Sequence, residues 1–113
     1  MITRKSDQVL SQREHMREGA GTVHLAALSR ELPKNARLFS TLTLEEGTSI
    51  GYHVHEGETE LFYFVSGRAR VRDDDQVYEV SAGDCMATFS GHGHAVESLG
   101  PEPLVMVACI VLD

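Results

Sequence analysis

The chain has 113 residues, 42% of them hydrophobic and 24% charged, with a formal net charge of -7. That is one ordinary globular domain with enough length for a hydrophobic core. Residues 1–40 hold seven Lys/Arg against four acids, and the remainder holds three against thirteen. An acidic chain lacks the basic footprint that phosphate backbones require, so no nucleic-acid partner is expected.

No apolar run approaches the roughly 18 residues of a membrane span, so no membrane partner is expected. The opening MITRKSDQVL has charge but no apolar stretch after it, so a secretory signal is not expected either. With two cysteines and no export signal, the expected location is the cytoplasm, with Cys85 and Cys109 as reduced core thiols and a disulfide between them as the less favoured alternative.

The first 20 residues read as an N-terminal arm, followed by a single domain over 21–113. Within the arm, 6–19 forms a short helix capped by Ser6 or an irregular segment, because Val9, Leu10 and Met16 make only a thin apolar stripe. Beyond it, β-branched and aromatic residues alternate with polar ones at period two. Strands are predicted at 21–29, 36–45, 49–55, 59–66, 68–73, 75–80, 84–89, 93–98 and 103–112. Glycines at 47, 57, 67, 83, 91 and 100 punctuate them. Short strands at this spacing indicate an all-β sandwich or barrel.

In the last strand, Leu104, Met106, Ala108 and Ile110 share one face, and Val105, Val107, Cys109 and Val111 the other. A strand apolar on both faces is central or lies at a subunit interface, which favours a homodimer.

The chemistry concentrates at His53, His55, Glu60 and His94. Side chains at i and i+2 of a strand project together, so His53 and His55 stand about 7 Å apart along one face. A turn at Glu56-Gly57-Glu58 folds the next strand back, bringing Glu60 to the histidines, and His94 arrives from a later strand. Three imidazoles and a carboxylate suit a borderline divalent ion better than calcium or magnesium, which prefer oxygen shells.

These residues carry a resemblance. Gly47-x5-His53-x-His55-x4-Glu60-x6-Gly67 resembles the first cupin motif at every prescribed position. Gly83, Gly91 and His94 follow with the spacing of the second. Two positions depart, Phe89 where cupins usually have proline and Ser98 where they usually have asparagine. The run HxHEGExE followed by GDxxxxxSGxxH is similar to small single-domain cupins of the oxalate-decarboxylase-like kind. The resemblance implies a double-stranded β-helix, or jelly-roll barrel. In it His53, His55, Glu60 and His94 would coordinate one Mn, Fe, Ni, Co or Zn. It also implies dimers formed through edge strands near the termini.

The function expected from the ligand set and this resemblance is metal-dependent binding of a small carboxylate or dicarbonyl. Lyase or oxidoreductase activity would follow, decarboxylase-like or dioxygenase-like. A non-enzymatic small-molecule sensor and a sugar isomerase or epimerase are the alternatives. His92 reads either as a proton shuttle near the metal or as a loop histidine in water, and Glu97 as a lid residue. Arg68, Arg70 and Arg72 read as a solvated face paired with Asp73–Asp75 or Glu79, with an anion-binding row as the alternative. Phe62 and Phe64 point into the barrel, and Phe89, Met86 and Met106 either line a pocket or pack the core. Tyr52 and Tyr63 face away from the ligands, and His15 and His24 are surface or structural residues.

Overall fold

A computed structural model describes residues 1–113. Ten strands follow in chain order: β1 (Val9–Glu14), β2 (Thr22–Ala27), β3 (Ala36–Leu44), β4 (Ser49–Val54), β5 (Glu58–Ser66), β6 (Arg68–Asp73), β7 (Gln76–Ser81), β8 (Cys85–Thr88), β9 (Gly93–Ser98) and β10 (Leu104–Leu112). They form a six-stranded sheet in the order β1-β2-β3-β10-β5-β8 and a four-stranded sheet in the order β4-β9-β6-β7. Every pairing is antiparallel. The result is all-β, as the strand pattern indicates, and takes the jelly-roll form that the cupin resemblance implies.

Period-two alternation decides what lies inside. On β10, Leu104, Met106, Ala108 and Ile110 are at most 4% exposed, while their odd-numbered neighbours are half-buried on the outer face. On β5, Phe62 and Phe64 are buried, whereas Leu61, Tyr63 and Val65 are exposed. Ile50, Ala69, Val71 and Val96 meet them from the four-stranded sheet, closing one core. Burying a side chain of this size contributes about 1.5–3 kcal/mol, so the core dominates stability.

Gly67 resets the alternation. Its φ of 84° lies in the left-handed region, and a Cβ there would strike the Pro103 carbonyl. After it the odd residues Ala69 and Val71 turn inward, and Arg68, Arg70 and Arg72 face solvent. Arg68 pairs with Glu79 at 2.6 Å and Arg70 with Glu97 at 3.1 Å. Arg72 donates to the Asp74 carbonyl at 2.6 Å and lies over the Tyr52 ring. These exposed pairs contribute at most about 1 kcal/mol each. The arginine row is therefore a solvated face, with Glu97 rather than the side chains of Asp73–Asp75 as its second anionic partner.

The N-terminal segment differs from expectation. Val9–Glu14 pair along β2 as an edge strand, and the segment holds only two three-residue helical turns, Lys5–Asp7 and Met16–Glu18. No cap or wide apolar stripe supports a helix, whereas the exposed edge of β2 offers hydrogen bonds to an extended chain. Then His15, Arg17 and Glu18 all take positive φ values, between 51° and 65°. That short kinked strap lies against β4. Ala20 and Ser49 exchange hydrogen bonds of 2.9 Å, through the Ser49 backbone N–H and its hydroxyl. A Cβ on Gly51 would overlap the Arg17 carbonyl, and one on Gly19 would overlap the Ser49 carbonyl.

Both thiols also differ from expectation. Cys85 is exposed and Cys109 half-buried, and neither is in a disulfide. Cys85 stands opposite Tyr63 and Cys109 opposite Leu61, so both lie on the outer face of the six-stranded sheet rather than in the core. Phe89 follows the same outward parity just beyond β8 and is 60% exposed, away from the cavity that holds His53, His55, Glu60 and His94. Met86 and Met106 belong to the core.

Because the strap meets β4 backbone to backbone, no side chain can yield to a new methyl group. Gly51→Ala is expected to lower the free energy of unfolding by about 1–3 kcal/mol, read as a shift of the urea midpoint. An unchanged midpoint would show that the strap is free to lift.

Candidate metal centre

The four residues singled out in the sequence meet at one point inside the barrel. His53 stands on β4 directly opposite His94 on β9, with His55 just past the end of β4 and Glu60 on β5. The β4–β9 ladder is irregular between Ile50 and His53, where the ligand strand begins to bend. His53 Nε2 and His55 Nε2 each lie 3.2 Å from His94 Nε2. Glu60 Oε1 lies 3.0 Å from His55 Nε2 and 3.1 Å from His94 Nε2. One ligand atom from each of the four residues falls within 4.8 Å of the others, so the group could hold one metal ion.

The outer ring nitrogens explain what the inner ones are. His53 Nδ1 lies 2.8 Å from the Gly51 carbonyl, and His55 Nδ1 lies 3.1 Å from a Glu58 oxygen. A carbonyl and a carboxylate only accept, so these Nδ1 atoms carry the protons and donate them. His94 Nδ1 is 2.8 Å from the Thr88 hydroxyl, which takes either role. With the outer nitrogens so engaged, the Nε2 atoms of His53 and His55 face the point where His94 Nε2 and Glu60 Oε1 also converge. Ligand atoms gathered this closely can all reach a single cation. The donor set therefore fits a divalent transition metal, bound to nitrogen at about 2.0–2.1 Å.

Electrostatics agree. Burial is the main influence pushing the His53 pKa down to about 4, with the charges of His94, Arg17 and His55 adding to it. The hydrogen bond to the Gly51 carbonyl opposes that shift without cancelling it. His55 and His94 are at most 2% exposed, Glu60 6%, and the Phe62 ring stacks on His94 with centroids 5.0 Å apart.

Two residues that sequence reasoning passed over complete the setting. Glu58 receives two hydrogen bonds from Arg37, at 2.7 and 2.8 Å, besides the one from His55. The Arg37 hydrogen bond is the main reason that Glu58 titrates near 2. The Arg37–Glu58–His55 chain fixes the ring plane of a buried imidazole, as outer carboxylates do around metal-binding histidines. Glu58 could have been suspected from its place three residues after His55. Arg37 could not, because it reaches the hairpin from β3.

The cluster opens into a cavity of about 320 Å³. Its apolar wall is Leu25, Leu38, Leu42, Ile50, Phe62 and Ile110, with Met16 of the strap beside them and His15 at the rim. His92 is placed elsewhere. Its side chain is 54% exposed and its Nδ1 sits 2.6 Å from Asp74 Oδ2, outside the cavity lining. Asp74 holds the His92 pKa up, and the Gly93 backbone N–H, together with His92, holds the Asp74 pKa down. The His92 backbone carbonyl, not its ring, serves the site, by accepting from the His55 N–H at 3.0 Å. Glu97 is drawn to Arg70 on the outer surface, which removes it as a lid. His24 and Tyr63 are exposed on the outer sheet face, and Tyr52 packs under Arg72.

A two-sheet jelly-roll with three imidazoles and a carboxylate gathered at one end of its interior defines a class of small metal-binding barrels. The chain belongs to the cupin family, residues 40–111 matching the Cupin domain (Cupin_2). It is 38% identical to the oxalate-binding protein of Thermotoga maritima over 114 residues, covering 99% of this chain and 94% of that protein. A crystal structure of a "predicted oxalate decarboxylase" from Thermotoga maritima superposes with a TM-score of 0.91 at 36% identity, each chain covered in full. Oxalate decarboxylase OxdC of Bacillus subtilis is 27% identical over 103 residues, which are 87% of this chain but 27% of that longer protein.

His53 is neutral in the fold down to pH of about 4, while in the unfolded chain it protonates near 6.5. Between those values the unfolded state binds more protons, so the stability of metal-free protein is fully present above pH 6.5 and falls as the pH drops. Urea unfolding of metal-free protein across this window should show the decline, and His53→Gln should flatten it.

Proposed function

We propose that this chain is a metal-dependent cupin that binds a small carboxylate or dicarbonyl. His53, His55, Glu60 and His94 would hold one divalent transition metal among Mn, Fe, Ni, Co and Zn. The observation that carries the reading is the convergence of three Nε2 atoms and one Glu60 oxygen within 4.8 Å of one another. The name of the Thermotoga maritima relative, an oxalate-binding protein, supports a small carboxylate as the ligand.

The metal would supply a positive site that draws and polarises carboxylate oxygens. The chain's own residues do the rest. Glu58 orients His55, Thr88 and Phe62 hold the His94 ring, and the apolar wall lowers the local dielectric so that charge interactions beside it are strengthened. Apart from the cluster, the titratable groups on the cavity are Arg13, Glu14, His15, Arg17 and Arg37. All but Arg37 come from β1 and the strap. With no acid or base set deep beside the cluster, binding without turnover is the second reading. Decarboxylase-like or dioxygenase-like chemistry would require a proton donor from the rim.

Elemental analysis of the purified protein is expected to give about one transition metal per chain. His53→Ala and His94→Ala should each lose it while keeping the barrel's circular dichroism, and calorimetry should detect oxalate binding only in metal-loaded protein. Full metal occupancy in both variants would sink the reading.

We further propose a homodimer formed through the outer face of the six-stranded sheet. Phe39, Leu61, Tyr63, Val65 and the half-buried Val107 and Cys109 lie on or beside its central strands, an apolar surface of the kind that self-association covers. Light scattering is expected to give twice the chain mass, and Tyr63→Glu to give the monomer. A reducing compartment such as the cytoplasm would suit the two unpaired thiols.

A further inference from the structure

Building on the metal-centred reading above, we infer that the cavity takes a diacid longer than oxalate. One end would reach the His53–His55–Glu60–His94 cluster, and the far carboxylate would be held at the mouth by Arg13 and Arg17. Size is the first ground. At about 320 Å³ the cavity falls in the range of roughly 300–1,000 Å³ that encloses whole small-molecule ligands. Oxalate, two carboxylates joined by a single bond, leaves most of that space as water against an apolar wall.

The wall is the second ground. Leu25, Leu38, Leu42, Ile50 and Ile110 present hydrocarbon to the cavity, a surface matched by methylene groups and not by a second carboxylate close to the first. A ligand that satisfies both regions has a metal-seeking head, a short carbon chain and a remote charge.

The mouth is the third. Three arginines line the cavity, and Arg37 is committed to Glu58 through two hydrogen bonds. Arg13 and Arg17 make no ion pair and no side-chain hydrogen bond. Arg13 stands opposite the fully buried Val23, which puts it on the inward side of β1. Arg17 is carried by the strap whose carbonyl is seated on Gly51. Glu14, the one acid beside them, is across from Thr22 on the other parity of β1 and is likewise unpaired. The mouth therefore keeps one net positive charge in a chain of net charge -7. The arginine fork suits a carboxylate, and the excess of basic residues in the first part of the sequence is partly accounted for by its place over this opening.

The test is calorimetric titration of full-length protein reconstituted with manganese(II), using oxalate, α-ketovalerate and α-ketoglutarate. The two keto acids match in length, and only the second has a carboxylate at the far end. α-Ketoglutarate is expected to bind about tenfold more tightly than either of the others, the order of one charge-assisted pair. In the double variant Arg13→Gln/Arg17→Gln, checked for unchanged manganese content, that preference should vanish and the two keto acids should bind equally. Oxalate binding as tightly as α-ketoglutarate, or a preference that survives in the double variant, overturns the inference and leaves the metal-centred reading standing. Binding of none of the three acids to manganese-loaded protein overturns both.

Discussion

Proton placement on the imidazoles governs this structure. A carbonyl at Gly51 and a carboxylate at Glu58 each accept a hydrogen bond from the outer nitrogen of a histidine, and that contact turns the inner nitrogen toward the shared point. Burial then keeps the His53 ring neutral well below its usual range. The barrel supplies the rigidity that holds the four ligand atoms together, and the cluster gives the barrel a chemical reason to keep a cavity beside them. Stability and function are opposed here. The core residues Phe62, Leu42 and Ile50 that close the fold also form the wall of a space that packing leaves open.

The strap from His15 to Gly19 shows how that opening is kept. Residues with positive φ cost free energy relative to relaxed backbone, and three of them occur within this short stretch. Their compensation is close backbone contact with β4, which only glycine at 19 and 51 permits. The strap thereby becomes part of the cavity rim without filling the cavity.

Much of this was legible in the sequence, and the parts that were not have specific causes. Period-two alternation located all nine strands after residue 20 within a residue or two, because each has one face against the core. The spacing of His53, His55, Glu60 and His94 identified the cluster, since ladder geometry turns i, i+2 spacing and hairpin return into proximity. β1 was missed because its six residues are all exposed, so its sequence has no buried face to betray it. Cys85, Cys109 and Phe89 were assigned to the interior by residue type, whereas their odd-numbered positions put them outside. Arg37 and Glu58 lie 21 residues apart, and nothing local announces a contact that exists only once β3 and β5 both flank β10.

One small joint near the surface has a mechanical consequence. Asp74, at the tip of the β6–β7 hairpin, accepts the Gly93 N–H at 3.0 Å through one oxygen and grips His92 through the other. The stretch it grips also trades backbone hydrogen bonds with His55, through Gly91 and His92, before running on into His94. A single exposed carboxylate thus anchors the chain that couples two of the buried imidazoles. Loosening that fastening would let both rings drift at once, so wear at this remote corner would be felt at the centre without any centre residue being touched.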